Sequence, residues 1–141
     1  MALSAGELAD RQQIVEVIDR YGTALDSKNY ERFKTCFSED ARVYYGANEF
    51  DREAAAKFCE ATLSPYAFTQ HLLGNYEVQI DGDLASARTY LHATHVTPPE
   101  QGEVFVVGGT YIDELARQDG EWRITMRTLE AEWSERRKIA A

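Results

Sequence analysis

Tyr66-Ala67-Phe68-Thr69-Gln70-His71-Leu72-Leu73-Gly74-Asn75-Tyr76-Glu77-Val78-Gln79-Ile80 is the stretch whose reading decides the fold. It is rich in aromatic and β-branched residues, holds no proline after Pro65, and runs into the turn Asp81-Gly82-Asp83. That combination predicts a strand over Phe68 to Ile80. Side chains alternate along a strand, so His71, Leu73 and Asn75 are expected on one face and Gln70, Leu72 and Tyr76 on the other. One imidazole then sits partway along a half-buried sheet. A lone histidine in that position is as a rule a core residue satisfied by a hydrogen bond, and it becomes a candidate for chemistry only in the company of other groups.

Downstream of this strand the chain continues as sheet. Leu84 to Thr97, Val104 to Gln118 and Trp122 to Trp133 read as further long strands. Their separators are Asp81-Gly82-Asp83, Pro98-Pro99-Glu100-Gln101-Gly102 and Asp119-Gly120, and the last is a hairpin signal between apolar runs. Strands of this length need bulges and curl, and Gly108-Gly109 is the expected bend.

Upstream the period changes. Leu8, Ile14, Val15, Val17, Ile18, Tyr21 and Leu25 recur at helical steps, predicting a helix from Ser4 to about Asp26. Ser4 or Asp10 can cap it, and Glu7 stands where a capping box needs it. Lys28-Asn29 reads as a turn, and Tyr30 to Phe37 as a second short helix closed by Ser38-Glu39-Asp40. A strand over Ala41 to Tyr45 follows, then a third helix over Asp51 to Leu63, stopped by Ser64-Pro65. Helices first and an antiparallel meander afterwards make an α+β domain rather than an alternating one. The expectation is one domain over residues 1–141, with helices laid on the concave face of a curved sheet of about five or six strands. Such a cone encloses a pocket.

Composition narrows the function. A net charge of −9 gives no basic stripe for nucleic acid and no attraction to an anionic membrane surface. The cluster Arg136-Arg137-Lys138 reads as a solvated, frayed tail. The opening MALSAGELADRQQ lacks the basic and apolar regions of a secretory signal, and no apolar run is long enough to span a membrane, so a cytoplasmic protein is expected. Cys36 and Cys59 fit neither a disulfide framework nor a zinc site and read as buried, reduced and structural. There is no glycine-rich phosphate loop and no metal-ligand cluster, so neither cofactor nor metal is expected.

Four side chains remain that could carry chemistry: Asp26 at a helix end, Tyr45 on the first strand, His71 and His95. An Asp beside a His is the smallest proton-transfer unit, because the carboxylate fixes the tautomer and stabilises the imidazolium. Asp26 can equally be a turn residue and Tyr45 a core aromatic. His92 and His95 form an H-x-x-H pair on one strand and point to opposite faces, so they share no metal and at most one of them sees a pocket.

The segment Tyr21-Gly22-Thr23-Ala24-Leu25-Asp26-Ser27-Lys28-Asn29-Tyr30-Glu31-Arg32-Phe33, with Phe37, Asp40-Ala41 and Val43-Tyr44-Tyr45, resembles the helical opening of the SnoaL-like group in the NTF2-like superfamily. Within that group it is most similar to scytalone dehydratase-like proteins. Thr69 to Asn75, the turn Asp81-Gly82-Asp83 with Ala85 and Ala87, and Gly120-Glu121-Trp122-Arg123-Ile124 extend the likeness over nearly the whole chain. The resemblance implies an NTF2-like cone in which Asp26 pairs with His71. It also implies that Tyr45 binds the substrate carbonyl and that His95 is a second histidine of the site. The dehydratase's other tyrosine, just before the aspartate, is Leu25 here. Related dehydratases and dehydrohalogenases place a Tyr or Lys five residues before the aspartate and an Arg on the last strand, which look like Tyr21 and Arg127. Simple alternation puts Trp122, Ile124 and Met126 on one face and Arg123, Thr125 and Arg127 on the other, so Arg127 is either a pocket cation or an outer-face charge.

The function these residues imply is a cofactor-free lyase that dehydrates a cyclic or polyketide-like hydroxy ketone. His71 acts as base, Asp26 holds it and Tyr45 stabilises the enolate, with Tyr21, His95, Arg127 and Asn75 binding substrate. Isomerisation or aldol-type cyclisation in the same pocket, and non-catalytic binding of a small molecule, are the alternatives. The outer face of the sheet is expected to pair copies of the chain as a homo-oligomer, a dimer or a trimer.

Overall fold

The computed structural model describes residues 2–139; residues 1, 140 and 141 of the expected domain lie outside the described residues. Helix α1 spans Ala5–Asp26, α2 Tyr30–Lys34 and α3 Arg52–Leu63. The strands are β1 (Phe37–Tyr45), β2 (Asn48–Asp51), β3 (Phe68–Asp81), β4 (Leu84–Val96), β5 (Glu103–Gln118) and β6 (Glu121–Lys138). They form one six-stranded sheet in the order β2-β1-β6-β5-β4-β3. Every pairing is antiparallel except β1 on β6, which is parallel. The architecture is α+β, a curved, unclosed sheet with helices on its concave face.

Local chemistry explains the elements. Ser4 caps α1 through a complete capping box, its hydroxyl accepting the Glu7 amide at 3.1 Å while the Glu7 carboxylate accepts the Ser4 amide at 3.1 Å. Asp10 is inside the helix and does other work. It accepts from the Arg117 guanidinium at 2.5 Å and from the Trp122 indole at 3.2 Å, tying α1 to β5 and β6. Asp51 caps α3 by accepting the Ala54 amide at 2.8 Å.

One face of α1 buries Ile14, Val17, Ile18, Tyr21, Ala24 and Leu25 against the concave face of the sheet. Gly22 belongs to that face. A Cβ built there would lie 3.3 Å from Leu73 and 3.5 Å from His71, so the missing side chain lets the helix approach β3 closely at the level of His71.

Several expectations need correction. The second helix stops at Lys34, and Ser38-Glu39-Asp40 does not close it but lies in β1, which starts at Phe37. Strand β2 carries no strong apolar alternation and was not anticipated. The basic residues Arg136, Arg137 and Lys138 are not a frayed tail: they pair with Phe105, Val104 and Glu103 of β5, and Arg136 lies 4.7 Å over the Phe105 ring.

Bulges account for the remaining differences. On β3 the register slips by one residue between Gly74 and Glu77, with Asn75 at φ +53°. Tyr76 therefore turns inward with Leu73, Val78 and Ile80, while Asn75 is exposed. On β6 extra residues fall between Ile124 and Met126 and between Ala131 and Trp133. The first slip reverses the alternation and carries Arg127 to the buried face with Trp122 and Ile124. The second lies opposite Gly108-Gly109, the expected bend, where the Trp133 indole covers the Gly108 backbone so closely that a Cβ would fall 2.1 Å from Nε1.

Candidate active site

Asp26, the last residue of α1, reaches across to β3 and grips it at three points. His71 Nδ1 lies 2.7 Å from Oδ1, the His71 backbone amide donates to Oδ2 at 2.8 Å, and the Thr69 hydroxyl donates to Oδ1 at 3.1 Å. A carboxylate accepting at Nδ1 holds the proton there and leaves Nε2 as the free lone pair. Both oxygens are engaged, so the ring has one orientation. The His71 side chain is 6% exposed and that of Asp26 24%.

His71 borders a cavity of about 270 Å³ between α1, α3 and the sheet. Its walls are Leu25, Phe58, Leu63, Leu129, Thr62 and Cys59, with Tyr21, Tyr45 and Tyr111. Larger clefts open elsewhere, one of about 800 Å³ among Lys34, Arg52 and Arg123, but it touches none of the candidate residues. The cavity at His71 is mostly apolar, and its few polar atoms belong to His71, Thr62, Cys59 and the three tyrosines, the pattern of a ligand site.

Tyr45 projects from β1 and Tyr21 from α1, and their hydroxyls meet at 2.6 Å. Cys59 on α3 donates its thiol to the Tyr45 oxygen at 3.5 Å. Burial pushes the Tyr21, Tyr45 and Tyr111 phenols up, the last to about 12, and the Cys59 thiol up to about 11, so all are protonated at neutral pH. Tyr21 stands one helical turn before Leu25 and brings its phenol to this wall.

Arg127 is fully buried, but it is not open to the cavity. Nε and Nη2 donate to Asp113 Oδ1 and Oδ2, both at 2.7 Å, and the guanidinium lies 4.2 Å from the Tyr21 ring and 4.0 Å from the Tyr111 ring. Burial opposes the charge, yet the paired carboxylate outweighs it and holds the guanidinium above its ordinary value. Arg127 is therefore a cation behind the tyrosine wall. Asp113, its register partner on β5, gave no signal in the sequence beyond an acidic residue on an apolar strand.

The structure separates the remaining candidates. His95 lies on the inner face with its ring 5.8 Å from His71 and 5.0 Å from Tyr66, and Nδ1 donates to the Phe105 carbonyl at 3.0 Å. Burial pushes its pKa below the ordinary 6.5, partly opposed by that hydrogen bond. His92 is on the outer face beside Trp133. Asn75 goes with it: the bulge turns it away from the cavity, to a groove on the outer face with Leu72, Tyr90 and Trp133. Sequence reasoning missed Thr69, Cys59, Tyr111 and Asp113. Among the described residues no group of three or more His, Cys, Asp or Glu side chains is placed to hold a metal ion, and no helix is long and apolar enough to cross a membrane.

Residues 6–128 match the SnoaL-like domain family. The chain belongs to that family. An uncharacterized protein of Mycobacterium tuberculosis is 28% identical over 128 residues, which cover 89% of this chain and 87% of that protein. Among solved structures, a scytalone dehydratase-like protein of Novosphingobium aromaticivorans superposes with a TM-score of 0.83 at 22% identity, covering 96% of this chain and 92% of its own. A hexachlorocyclohexane dehydrochlorinase, LinA type 2, gives 0.83 at 19% identity, covering 92% and 90%. At these identities the structural likeness shows the fold alone, the NTF2-like arrangement of helices on a curved sheet.

Proposed function

We propose that this SnoaL-like protein is a lyase that dehydrates an uncharged cyclic or polyketide-like β-hydroxy ketone without a cofactor. The observation that carries the reading is the 2.7 Å contact of His71 Nδ1 with Asp26 at the wall of an apolar cavity that also presents Tyr45. Nε2 of His71 takes the proton α to the carbonyl and the C–H electron pair becomes the new C=C bond. The C–O bond to the β-hydroxyl breaks, and the hydroxyl leaves as water with the proton from the imidazolium. Tyr45 donates to the carbonyl oxygen as negative charge develops, where a fixed donor in a dry site has its largest effect. Asp26 stabilises the imidazolium between the two steps. His95 borders the dyad on the side of Tyr66 and limits water there.

Two structural neighbours are named for eliminations, a dehydration and a dehydrochlorination, which supports an elimination here over isomerisation or cyclisation. The reading is tested by incubating the protein with a panel of ring-bearing β-hydroxy ketones and following the absorbance of the conjugated enone. Turnover by the wild type, lost in His71→Ala and insensitive to dialysis against a chelator, is the expected result. Rearranged or cyclised product without loss of water overturns dehydration.

The assembly belongs to the same proposal. Leu72, Tyr90 and Trp133 are exposed on the outer face of the sheet, and we assign that face to the homo-oligomer contact. Light scattering at micromolar concentration should give a dimer or trimer that Trp133→Glu dissociates. A wild-type monomer rejects the assignment.

A further inference from the structure

Hydrogen counting along the Cys59-Tyr45-Tyr21 chain leads to one consequence for the ligand. The three groups carry three protons, one thiol and two hydroxyl. Cys59 spends its proton on the Tyr45 oxygen, and one hydroxyl proton is spent between the tyrosines. One O–H is left over. If Tyr45 donated to Tyr21, the free proton would be on Tyr21; if Tyr21 donates, it is on Tyr45. Arg127 decides between them. Its guanidinium lies against the ring of Tyr21, so it favours the arrangement in which Tyr21 gives up proton density. The cation cannot swing into the cavity to meet a ligand itself, because Asp113 holds it at two nitrogens and both residues are fully buried.

We propose that Tyr21, Cys59 and Arg127 are positioning residues that act through Tyr45, aiming its single free O–H into the cavity toward a ligand oxygen. Tyr45 accepts from Tyr21 and from Cys59, filling both lone pairs, so its own proton has nowhere to go but the cavity. Each accepted bond polarises the next and makes Tyr45 a stronger donor. The pocket therefore presents the Tyr45 donor facing the His71 Nε2 acceptor, on mostly apolar walls that also carry the Thr62 and Tyr111 hydroxyls, and no Lys or Arg lines it to meet an anionic group. Its ligand is an uncharged ring with one acceptor oxygen, placed so that an acidic hydrogen faces His71. This rests on the reading of the pocket as a carbonyl site, but not on which bond is finally broken.

The test uses 1-indanone, a ring ketone with no leaving group, and reads its carbonyl stretch by infrared difference spectroscopy in the complex. In the wild type the band should move to lower wavenumber than in an apolar solvent, because the carbonyl accepts one hydrogen bond. Tyr45→Phe should abolish the shift. Tyr21→Phe should reduce it in the wild-type background and change nothing in the Tyr45→Phe background. Cys59→Ala should also reduce it, and Cys59→Ser, which restores a donor, should retain it. Circular dichroism confirms folding of each variant, and Cys59→Ala serves if an aromatic replacement fails to fold, an undiminished shift there overturning the proposal. The proposal is overturned if 1-indanone does not bind. It is also overturned if the wild-type band is unshifted, if Tyr21→Phe removes the shift while Tyr45→Phe leaves it, or if Tyr21→Phe acts equally in both backgrounds. A shifted band together with a failed search for dehydration would sink the proposed reaction and leave this inference standing.

Discussion

Asp26 and His71 are joined twice: the imidazole meets one carboxylate oxygen at 2.7 Å, and the backbone amide of the same histidine donates to the other at 2.8 Å. The aspartate therefore fixes both the ring and the piece of strand that carries it. His71→Ala removes the base and should lower kcat by roughly 10² to 10⁴-fold, the usual worth of one positioned acid-base group. Asp26→Asn can keep only part of this grip, because its amide nitrogen cannot accept, and it loses the charge that stabilises imidazolium. It should lower kcat while leaving KM nearly unchanged. The double variant should be little worse than His71→Ala, since the two act as a unit. Effects that multiply in steady-state kinetics would show that the two act separately.

Gly22 bears on the same geometry from the other side. Alanine is a better helix former by about 1 kcal/mol, so Gly22→Ala gains intrinsic helix stability. The new methyl, however, presses on Leu73 at 3.3 Å and sits 3.5 Å from His71, one turn before Asp26. The expected outcome is a melting temperature close to the wild type together with a loss of activity, because small displacements at a proton-transfer pair are costly. Unchanged activity in a variant of equal stability would mean that α1 does not set the dyad distance.

Apart from β2, the order of the elements was legible in the sequence because each long strand is bracketed by turn residues and the long helices by caps. Which way the side chains point was legible only as far as the first bulge. Alternation put His71 and Leu73 inward correctly, then failed at Asn75, where positive φ adds a residue and turns Tyr76 in instead. The pair Gly74-Asn75 was the available sign, since both residues tolerate such a conformation. Arg127 shows the same effect at the extra residue Thr125, and no glycine or asparagine marks that place. Asp26 with His71 could be named from the resemblance. Cys59 and Asp113 could not be placed at the site, because their positions depend on the packing of α3 and on a shifted cross-strand register.

The buried ion pair of Arg127 and Asp113 yields a stability prediction. Both side chains are fully buried, and Nη1 of Arg127 has no hydrogen-bond partner. Removing either partner leaves the other as an uncompensated charge, so Arg127→Met or Asp113→Leu should each cost about 3–5 kcal/mol. Making both changes together should recover much of that loss, because apolar groups of similar volume replace a buried pair at little cost. Urea unfolding of the four proteins measures the coupling. Additive losses would mean that Arg127 is held chiefly by the rings of Tyr21 and Tyr111.

His95 predicts how stability changes with pH. Burial holds its folded pKa below the ordinary 6.5, so the unfolded chain binds a proton more readily than the native one. Between the unfolded value and the lowered folded value the unfolded state carries more protons, and stability rises with pH. The sign is thus a loss of stability as the pH falls from about neutral through the ordinary histidine range. His71, Asp26, Tyr66 and Phe105 face the ring, with Arg136 beyond Phe105; protonation of His71 adds to the penalty and Asp26 reduces it. His95→Asn keeps a donor for the Phe105 carbonyl and removes the titrating group. Unfolding free energies measured by urea between mildly acidic and neutral pH should therefore fall more steeply for the wild type than for His95→Asn. All other groups are common to both proteins, so the difference in slope isolates His95. Equal slopes would mean that the histidine takes up its proton in the folded protein as easily as in water, and that the inner face around it is open to solvent.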